Sequence, residues 1–175
     1  MTVFQRLSRP FNYLRDKYVG HPFLLVGATL KTLFVSHVFL EYGFTMGACE
    51  GASMLPTLEV YGDSVLISKA YRRGRGIKVG DVVQFDSVVE PGSQVIKTVL
   101  GLEGDYVLRD SPGTSGQMIQ VPRGHCWVVG DNLDFSRDSR MFGPMPMALI
   151  KGKVIAKVLP WSERKWLINE LKHVQ

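Results

Sequence analysis

The 175-residue chain has little cysteine and little histidine, and each shortage excludes a class of site. Its two cysteines, Cys49 and Cys126, are too few for a disulfide scaffold and lack the spacing of a zinc site. One bridge between them stays open, although two unpaired buried thiols are the favoured interpretation. A Ser-His-Asp triad would depend on His125, because the other three histidines lie in the apolar N-terminal stretch or the tail. A structural role for His125 is the more ordinary interpretation.

Internal repeats, low-complexity segments and motifs of nucleic-acid binding are also missing. The formal net charge is +5 at pH 7, and the one tight basic cluster is the run 71–76. Such a cluster is most often a solvated loop, with lipid or nucleic-acid contact as the lesser alternatives. We therefore expect no nucleic-acid partner.

Long apolar runs are scarce apart from one between Pro22 and Cys49. It is long enough to span about 30 Å of hydrocarbon. Lys31 and Glu41 interrupt it and make its insertion marginal. We expect residues 22–48 to be a membrane anchor in contact with lipid, and the alternative is an amphipathic helix in the interface or on the domain.

The segment before this anchor, residues 1–21, is basic. It carries Arg6, Arg9, Arg15 and Lys17 against the single acid Asp16. Positive residues before a span stay on the matrix-like or cytoplasm-like side of the membrane. If the anchor spans, the remainder of the chain therefore lies across the membrane.

Beyond Cys49, short runs rich in Val and Ile alternate with Gly, Pro and Asp. The runs cover 64–71, 80–89, 94–102, 105–110, 118–122, 125–131 and 151–161. Turn signals at this spacing predict a mainly β fold, an antiparallel β domain over 49–175 that follows one N-terminal helix.

A lysine in one of these runs could act as a base if it were neutral. Lys97 has apolar neighbours on both predicted faces of its strand, Val95 and Val99 on its own side and Ile96 and Leu100 on the other. Burial lowers a lysine pKa from about 10.4 by as much as 3–5 units. The alternative is an amine that reaches solvent at a strand edge.

A candidate nucleophile, Ser53, lies among small residues before a proline-bounded turn. Gly51 and Ala52 permit close approach of an extended substrate, and the Ser53 backbone N–H could stabilise an oxyanion. Taken alone, this segment could equally be an ordinary loop.

Four ordered segments resemble the signature boxes of type I signal peptidases. They are GASMLPT at 51–57, GDVV at 80–83, KTVLGLEGD at 97–105 and GDNLDFSRDSRMFGP at 130–144. The short spacing from Lys97 to Gly130 and the run 143–160 resemble the mitochondrial inner membrane protease branch. Within that branch, DNLDFSRDSR is most similar to the first of two catalytic subunits.

The resemblance implies a signal peptidase fold, no cofactor and no metal, with Ser53 as nucleophile and Lys97 as general base. Gly51, Ser53 and Met54 would supply backbone groups to the oxyanion and the substrate. Ser136 would orient the lysine, and the surrounding loop would be held by Asp131, Asn132, Asp138 and Arg140.

Two positions depart from the pattern of many bacterial relatives. Gly51 stands where they carry a hydroxyl residue that completes the oxyanion hole. Thr98 stands where they often carry an arginine directly after the lysine, which leaves the partner of Asp131 open. A calcium interpretation of the run 131–138 fails, because Leu133 and Phe135 would fall at ligand positions.

The resemblance further implies a membrane-bound serine endopeptidase at the mitochondrial inner membrane, with its catalytic domain in the intermembrane space. It would remove sorting or signal peptides from precursor polypeptides, in a complex with a related second catalytic subunit. The main alternative is a non-catalytic subunit that stabilises an active paralogue. A self-cleaving repressor would need a DNA-binding domain where the apolar run lies.

Overall fold

A computed structural model describes residues 21–111, 113 and 116–169. The basic segment predicted for residues 1–21 therefore lies, apart from His21, outside the described residues. Within them the chain forms one long helix and ten strands. Helix α1 is Pro22–Tyr42, and the strands are β1 Phe44–Ala48, β2 Ser64–Ser68, β3 Val82–Asp86, β4 Gln94–Gly101, β5 Tyr106–Leu108, β6 Met118–Gln120, β7 His125–Val129, β8 Met145–Pro146, β9 Ile150–Leu159 and β10 Lys165–Trp166.

Helix α1 has the length and the surface of a membrane span. Its 21 residues extend about 31 Å at 1.5 Å per residue, close to the hydrocarbon thickness of a bilayer. None of its residues is buried in the protein. The hydroxyls of Thr29 and Thr32 donate to the carbonyls of Leu25 and Ala28 at 2.9 Å, so their polar groups are satisfied inside the helix. By length and composition α1 can cross a membrane.

The predicted end of the anchor, residue 48, is six residues too late. The helix ends at Tyr42, and the next five-residue element is strand β1, paired with β2 from Phe44 opposite Ser68 to Ala48 opposite Ser64. The sequence FTMGA continues the apolar run without a change in composition, so hydropathy does not mark this boundary. Only Gly43, a poor helix residue, separates the two elements.

The residues after helix α1 form an antiparallel sheet with the strand order β1-β2-β9-β3-β4-β7-β8. Strands β5 and β6 pair with each other in a second, two-stranded sheet. Strand β9 has ten residues and pairs with β2 along one edge. Along its other edge it pairs first with β3 and then with β10. Every one of the seven predicted runs contains a strand, so the mainly β prediction is confirmed. Strands β1, β8 and β10 were not predicted, and two of these have only two residues.

Three clusters of buried side chains support the sheet, and one of them lies under the Ser53 segment. That cluster contains Cys49, Met54, Leu58, Val65, Ile67 and Val154. Cys126 belongs to a different cluster, around Phe85 and Val99. Both cysteines are free and buried, which decides the question that the sequence left open.

The loop between β1 and β2, residues 49–63, is fastened at its base by Asp63. The Cys49 N–H donates to the Asp63 carbonyl at 2.8 Å, and the Glu59 N–H donates to its carboxylate at 2.8 Å. Lys157 on β9 forms an ion pair with the same carboxylate at 2.9 Å, and both side chains are buried. The ion pair therefore holds the base of the loop that carries Ser53 on β9.

Candidate active site

Ser53 lies in a single 3-10 turn, Ala52–Met54, which the buried Met54 side chain anchors to the core. Gly51 precedes the turn with φ +103° and ψ 155°, a backbone conformation that is almost confined to glycine. A serine at position 51 would therefore be strained even though there is open space beside it. This conformation gives the physical reason for the first departure from the bacterial pattern.

The Gly51 N–H is not available to an oxyanion. It donates to the Val60 carbonyl at 2.9 Å, across the loop. Of the backbone groups predicted to face the oxyanion and the substrate, those of Gly51, Ser53 and Met54, the Gly51 N–H is thus already used within the loop, and the roles of the three residues stay a prediction. The loop turn needs that N–H for its own closure, and the sequence offers no signal of this bond.

Lys97 is buried on β4, with 4% of its surface exposed. Its Nζ lies 2.6 Å from Ser53 Oγ and donates to the Ile96 carbonyl at 3.0 Å. An amine that reaches solvent at a strand edge is thereby excluded. Val99 is fully buried as predicted, whereas Leu100 on the other face is half exposed, so apolar cover is incomplete on that side.

Burial in this position lowers the pKa of Lys97 below its ordinary value, because the ammonium form loses its hydration. The negative charges of Asp138 and Asp131 act in the opposite direction and raise the pKa. Burial is the larger effect. The outcome is an amine with a raised fraction of the neutral form, held within hydrogen-bond distance of a hydroxyl.

The loop 130–138 lies directly against Ser53. The Asn132 N–H donates to the Ser53 carbonyl at 3.1 Å. A Cβ on Gly130 would come within 2.5 Å of the same carbonyl and 2.2 Å of Ser136 Oγ, so only glycine permits this approach. The loop that was predicted to lie around the lysine is thus in contact with the Ser53 segment.

An ion pair between Asp138 and Arg140 stabilises this loop from within. Both Asp138 carboxylate oxygens accept from the Arg140 guanidinium at 2.9 Å, and one of them accepts the Gly130 N–H at 3.0 Å. Arg140 also donates to Ser111 Oγ and the Leu133 carbonyl. Burial alone would raise the pKa of Asp138, but the hydrogen bonds from Arg140, Ser136 and the Gly130 N–H together lower it.

Ser136 is buried but does not make the predicted contact with Lys97. Its Oγ has no well-formed hydrogen bond within the described residues, although it lies close enough to Asp138 to lower the pKa of that carboxyl. The Lys97 amine instead uses the Ile96 carbonyl beside it. In this conformation the Lys97 amine is held by the Ile96 carbonyl, and the orienting role of Ser136 stays a prediction.

Asp131 has two hydroxyl partners in place of an arginine. Thr98 Oγ1 donates to one carboxylate oxygen at 2.7 Å, and Thr57 Oγ1 donates to the other. Neither threonine is predicted from the sequence as a partner of Asp131. Both fall inside the recognised boxes, but nothing in a sequence reports a bond across 74 residues.

A small pocket of about 100 Å³ opens beside Ser53 and Lys97. Residues of the Ser53 loop line one side and the beginning of β4 lines the other, and the lining includes Ala48, Gly51, Ser53, Val95, Ile96 and Lys97. Sites for drug-sized ligands are usually about 300–1,000 Å³. The pocket is therefore smaller than such a site and comparable in size to a single amino-acid side chain.

The family model described as "Signal peptidase, peptidase S26" matches residues 23–113 and 108–161 of the chain. The chain belongs to this signal peptidase family, and it is a serine endopeptidase by class. The arrangement of a buried lysine against a serine hydroxyl agrees with that class.

Curated relatives carry a more specific name. "Mitochondrial inner membrane protease subunit 1" of Schizosaccharomyces pombe is 41% identical over 79% of this chain and 87% of its own length. The protein of the same name from Homo sapiens is 40% identical over 83% and 87%. "Mitochondrial ATP-independent inner membrane protease subunit 1a" of Arabidopsis thaliana is 41% identical over 77% and 82%.

A solved structure, a signal peptidase I from Enterococcus faecalis, is 23% identical and covers 44% of this chain and 95% of its own, with a TM-score of 0.36.

The lowered pKa of Lys97 predicts how stability depends on pH. Between the folded pKa and the unfolded value of about 10.4, the unfolded chain binds the proton that the folded chain has released, so the free energy of unfolding rises with pH. Lys97→Met should remove this part of the slope. Denaturant unfolding of the detergent-solubilised protein at several pH values, followed by tryptophan fluorescence, measures it.

Ser53→Ala is the matched control, since it keeps the buried amine and should keep the rising slope. An identical slope in the wild type and in Lys97→Met would show that burial does not disfavour the charged amine.

Proposed function

We propose that this chain removes sorting or signal peptides from precursor polypeptides delivered to the mitochondrial intermembrane space, with Ser53 as nucleophile and Lys97 as general base. One observation carries the proposal. The amine of a buried lysine lies 2.6 Å from a serine hydroxyl at the mouth of a small pocket. The names of the relatives support a protease of the mitochondrial inner membrane, and the family description supports the removal of signal peptides.

In the proposed mechanism, neutral Lys97 takes the Ser53 proton as Oγ bonds to the scissile carbonyl carbon. The C–N bond then breaks, and the Lys97 ammonium protonates the leaving amine. In the second half, Lys97 takes a proton from water, the water oxygen bonds to the acyl carbon, and the ester bond to Oγ breaks. Ser53 recovers its proton from Lys97. Since only the neutral amine starts this cycle, the acid limb of activity reports the pKa of Lys97.

Two strand edges beside the site suit an extended substrate. Strand β1 pairs with β2 on one edge, and residues Gln94–Lys97 of β4 pair only with β3, so among the described residues each has an edge without a strand partner. The pocket lies between Ala48, at the end of β1, and the beginning of β4. A peptide that adds a strand there would place its carbonyl groups beside Ser53.

The size of the pocket supports a restricted side chain at the residue before the cut. Its volume of about 100 Å³ is comparable to that of one side chain of limited size. Gly51 and Ala52 keep side-chain bulk away from the approach to the nucleophile. Met54 and Leu58, which belong to a buried cluster, form part of the wall of this pocket.

A non-catalytic subunit that stabilises a paralogue is the alternative, and the burial of Lys97 argues against it. Burying an amine lowers the stability of the fold at neutral pH, because the charged form loses its hydration. A scaffold would gain nothing from that cost. Lys97 forms no ion pair within the described residues that would offset it.

Helix α1 and the charge before it support the membrane arrangement. The helix is long and apolar enough to span, and four basic residues precede it in the first twenty. By the positive-inside rule the N terminus would lie in the matrix and the catalytic domain in the intermembrane space. The relatives are named as subunits, and a protein named subunit 2 is 36% identical over 67% of the chain, which supports a related partner subunit.

Replacing either dyad residue should abolish cleavage without unfolding the protein. Ser53→Ala and Lys97→Met should each lower kcat by about 10⁴-fold or more, and the double variant should lose little further, because the two groups act as a unit. Purified complex is incubated with candidate precursors, and the new N termini are sequenced. Exposed Lys78→Met is the matched control and should cleave normally.

Cleavage by Ser53→Ala at more than a trace of the wild-type rate would reject the dyad. Normal cleavage by Ser53→Ala in the presence of an active paralogue, lost only when the paralogue is inactivated, would favour the non-catalytic alternative.

The orientation is tested by protease protection of a chain that carries one epitope tag at each end. In intact mitochondria both tags should survive added protease. After rupture of the outer membrane the C-terminal tag should be degraded and the N-terminal tag should persist until detergent is added. Survival of the C-terminal tag after rupture would place the catalytic domain in the matrix.

A further inference from the structure

Three segments that carry the chemistry are joined by a single carboxylate. Asp131 accepts one hydroxyl from Thr57, four residues after Ser53, and one from Thr98, the residue directly after Lys97. Asp131 itself begins the loop that packs against the Ser53 carbonyl. The side chains of these three residues therefore connect the nucleophile loop, the lysine strand and the loop beside them.

We propose that Thr57 and Thr98 are positioning residues, which with Asp131 form a hydroxyl–carboxylate–hydroxyl clamp that sets the separation of Ser53 and Lys97. The proposal rests on the proposed dyad and extends it. Ser53 and Lys97 stand on different elements, and their reaction depends on a contact of 2.6 Å. A displacement of about 1 Å in such a contact can lower a rate by about 10²-fold.

The position of Thr98 on β4 makes the clamp effective. Neighbouring residues of a strand point to opposite faces, so Thr98 and Lys97 project from opposite sides of the same backbone. Thr98 is held on one face by Asp131, and Lys97 meets Ser53 on the other. The strand is therefore fixed from both faces at the residue pair where the amine must be placed.

The Ser53 loop is held by the clamp at its far end. Asp63 fastens the base of this loop to β9, and the Asn132 N–H holds the Ser53 carbonyl. Neither contact reaches β4. Besides the contact of Ser53 with Lys97 itself, the bond from Thr57 to Asp131, and through it to Thr98, is a side-chain link within the described residues that ties the loop to the strand of Lys97.

Thr57 and Thr98 carry no charge, so they do not offset the negative charge of Asp131. An arginine in the place of Thr98 would offset it. The charged groups that face Lys97 are Asp131 and Asp138 from the loop and, at the rim of the pocket, Glu50 and Glu59. Arg140 is engaged by Asp138. The clamp consequently fixes how strongly the Asp131 charge raises the pKa of Lys97 against the effect of burial.

The test compares near-isosteric Val with hydroxyl-retaining Ser at each position, in the full-length complex. Thr57→Val and Thr98→Val should each lower kcat by about 10- to 100-fold with little change in KM. Thr57→Ser and Thr98→Ser should recover activity to within about threefold of the wild type, because a serine hydroxyl can make the same bond. Thermal melting of each variant shows whether the fold survives.

The pH profile separates positioning from a merely structural role. Removing the Asp131 charge in Asp131→Asn should move the acid limb of kcat/KM to lower pH, because that charge raises the pKa of Lys97. Thr98→Arg should move the limb in the same direction, since it brings a cation toward the amine. Serine variants should keep the wild-type limb.

Wild-type kcat in both Val variants would overturn the clamp, while the dyad would still stand on the loss of activity in Ser53→Ala. Serine variants as inactive as the Val variants, with parallel losses in melting temperature, would overturn it as well and assign the threonines to folding. An acid limb unchanged in Asp131→Asn would remove the electrostatic part of the proposal.

Discussion

The contact between Ser53 Oγ and Lys97 Nζ sets the requirements that the surrounding structure has to meet. It joins residues 44 positions apart, on a turn and on a strand, at 2.6 Å. An ordinary lysine would meet the hydroxyl as an ammonium and could take no proton from it. Burial on β4 disfavours that charged form, and the two carboxylates of the neighbouring loop act against burial. The reactivity of the amine is therefore a balance between lost hydration and nearby negative charge, and both are fixed by the fold.

The residues that stabilise the surroundings of this contact lie at three different places. Asp63 and Lys157 fasten the base of the Ser53 loop to β9 with a buried ion pair. Asp138 and Arg140 brace the loop 130–138 from inside. Gly130 lets that loop approach the Ser53 carbonyl more closely than any residue with a Cβ could. The Ser53 loop and the loop 130–138 are thus each stabilised by an ion pair of their own. The hydrogen bonds of Asp131 then link these two loops to β4.

Much of the fold was predictable because its strands carry a local signal. Alternating Val and Ile runs between turn residues identified seven strands. The apolar neighbours of Lys97 allowed a buried lysine but left an amine that reaches solvent as the alternative, and the structure decides for burial. Strand β1 was not predicted, because its sequence FTMGA continues the apolar composition of helix α1 without a break. Hydropathy reports that a segment avoids water, and it cannot report whether lipid or a sheet covers it.

The details of the site were less predictable because they depend on long-range bonds. The resemblance identified Ser53, Lys97, Asp131, Asp138 and Arg140, and the structure brings them together. It could not show that the Gly51 N–H donates to the Val60 carbonyl, or that the Ser136 hydroxyl forms no hydrogen bond with the lysine. The two threonines that replace an arginine were visible as a departure at Thr98, but their shared partner appears only when the chain is folded.

The protonation of one amine tests the whole account most directly. The full-length protein, labelled with ¹³C at the lysine ε-carbon, can be titrated by NMR in detergent, with Lys97→Met to assign the signal. The account predicts that Lys97 titrates well below the ordinary lysine value of about 10.4, and that its resonance responds to Ser53→Ala. A Lys97 signal that titrates at or above that value would contradict a neutral base and the mechanism built on it.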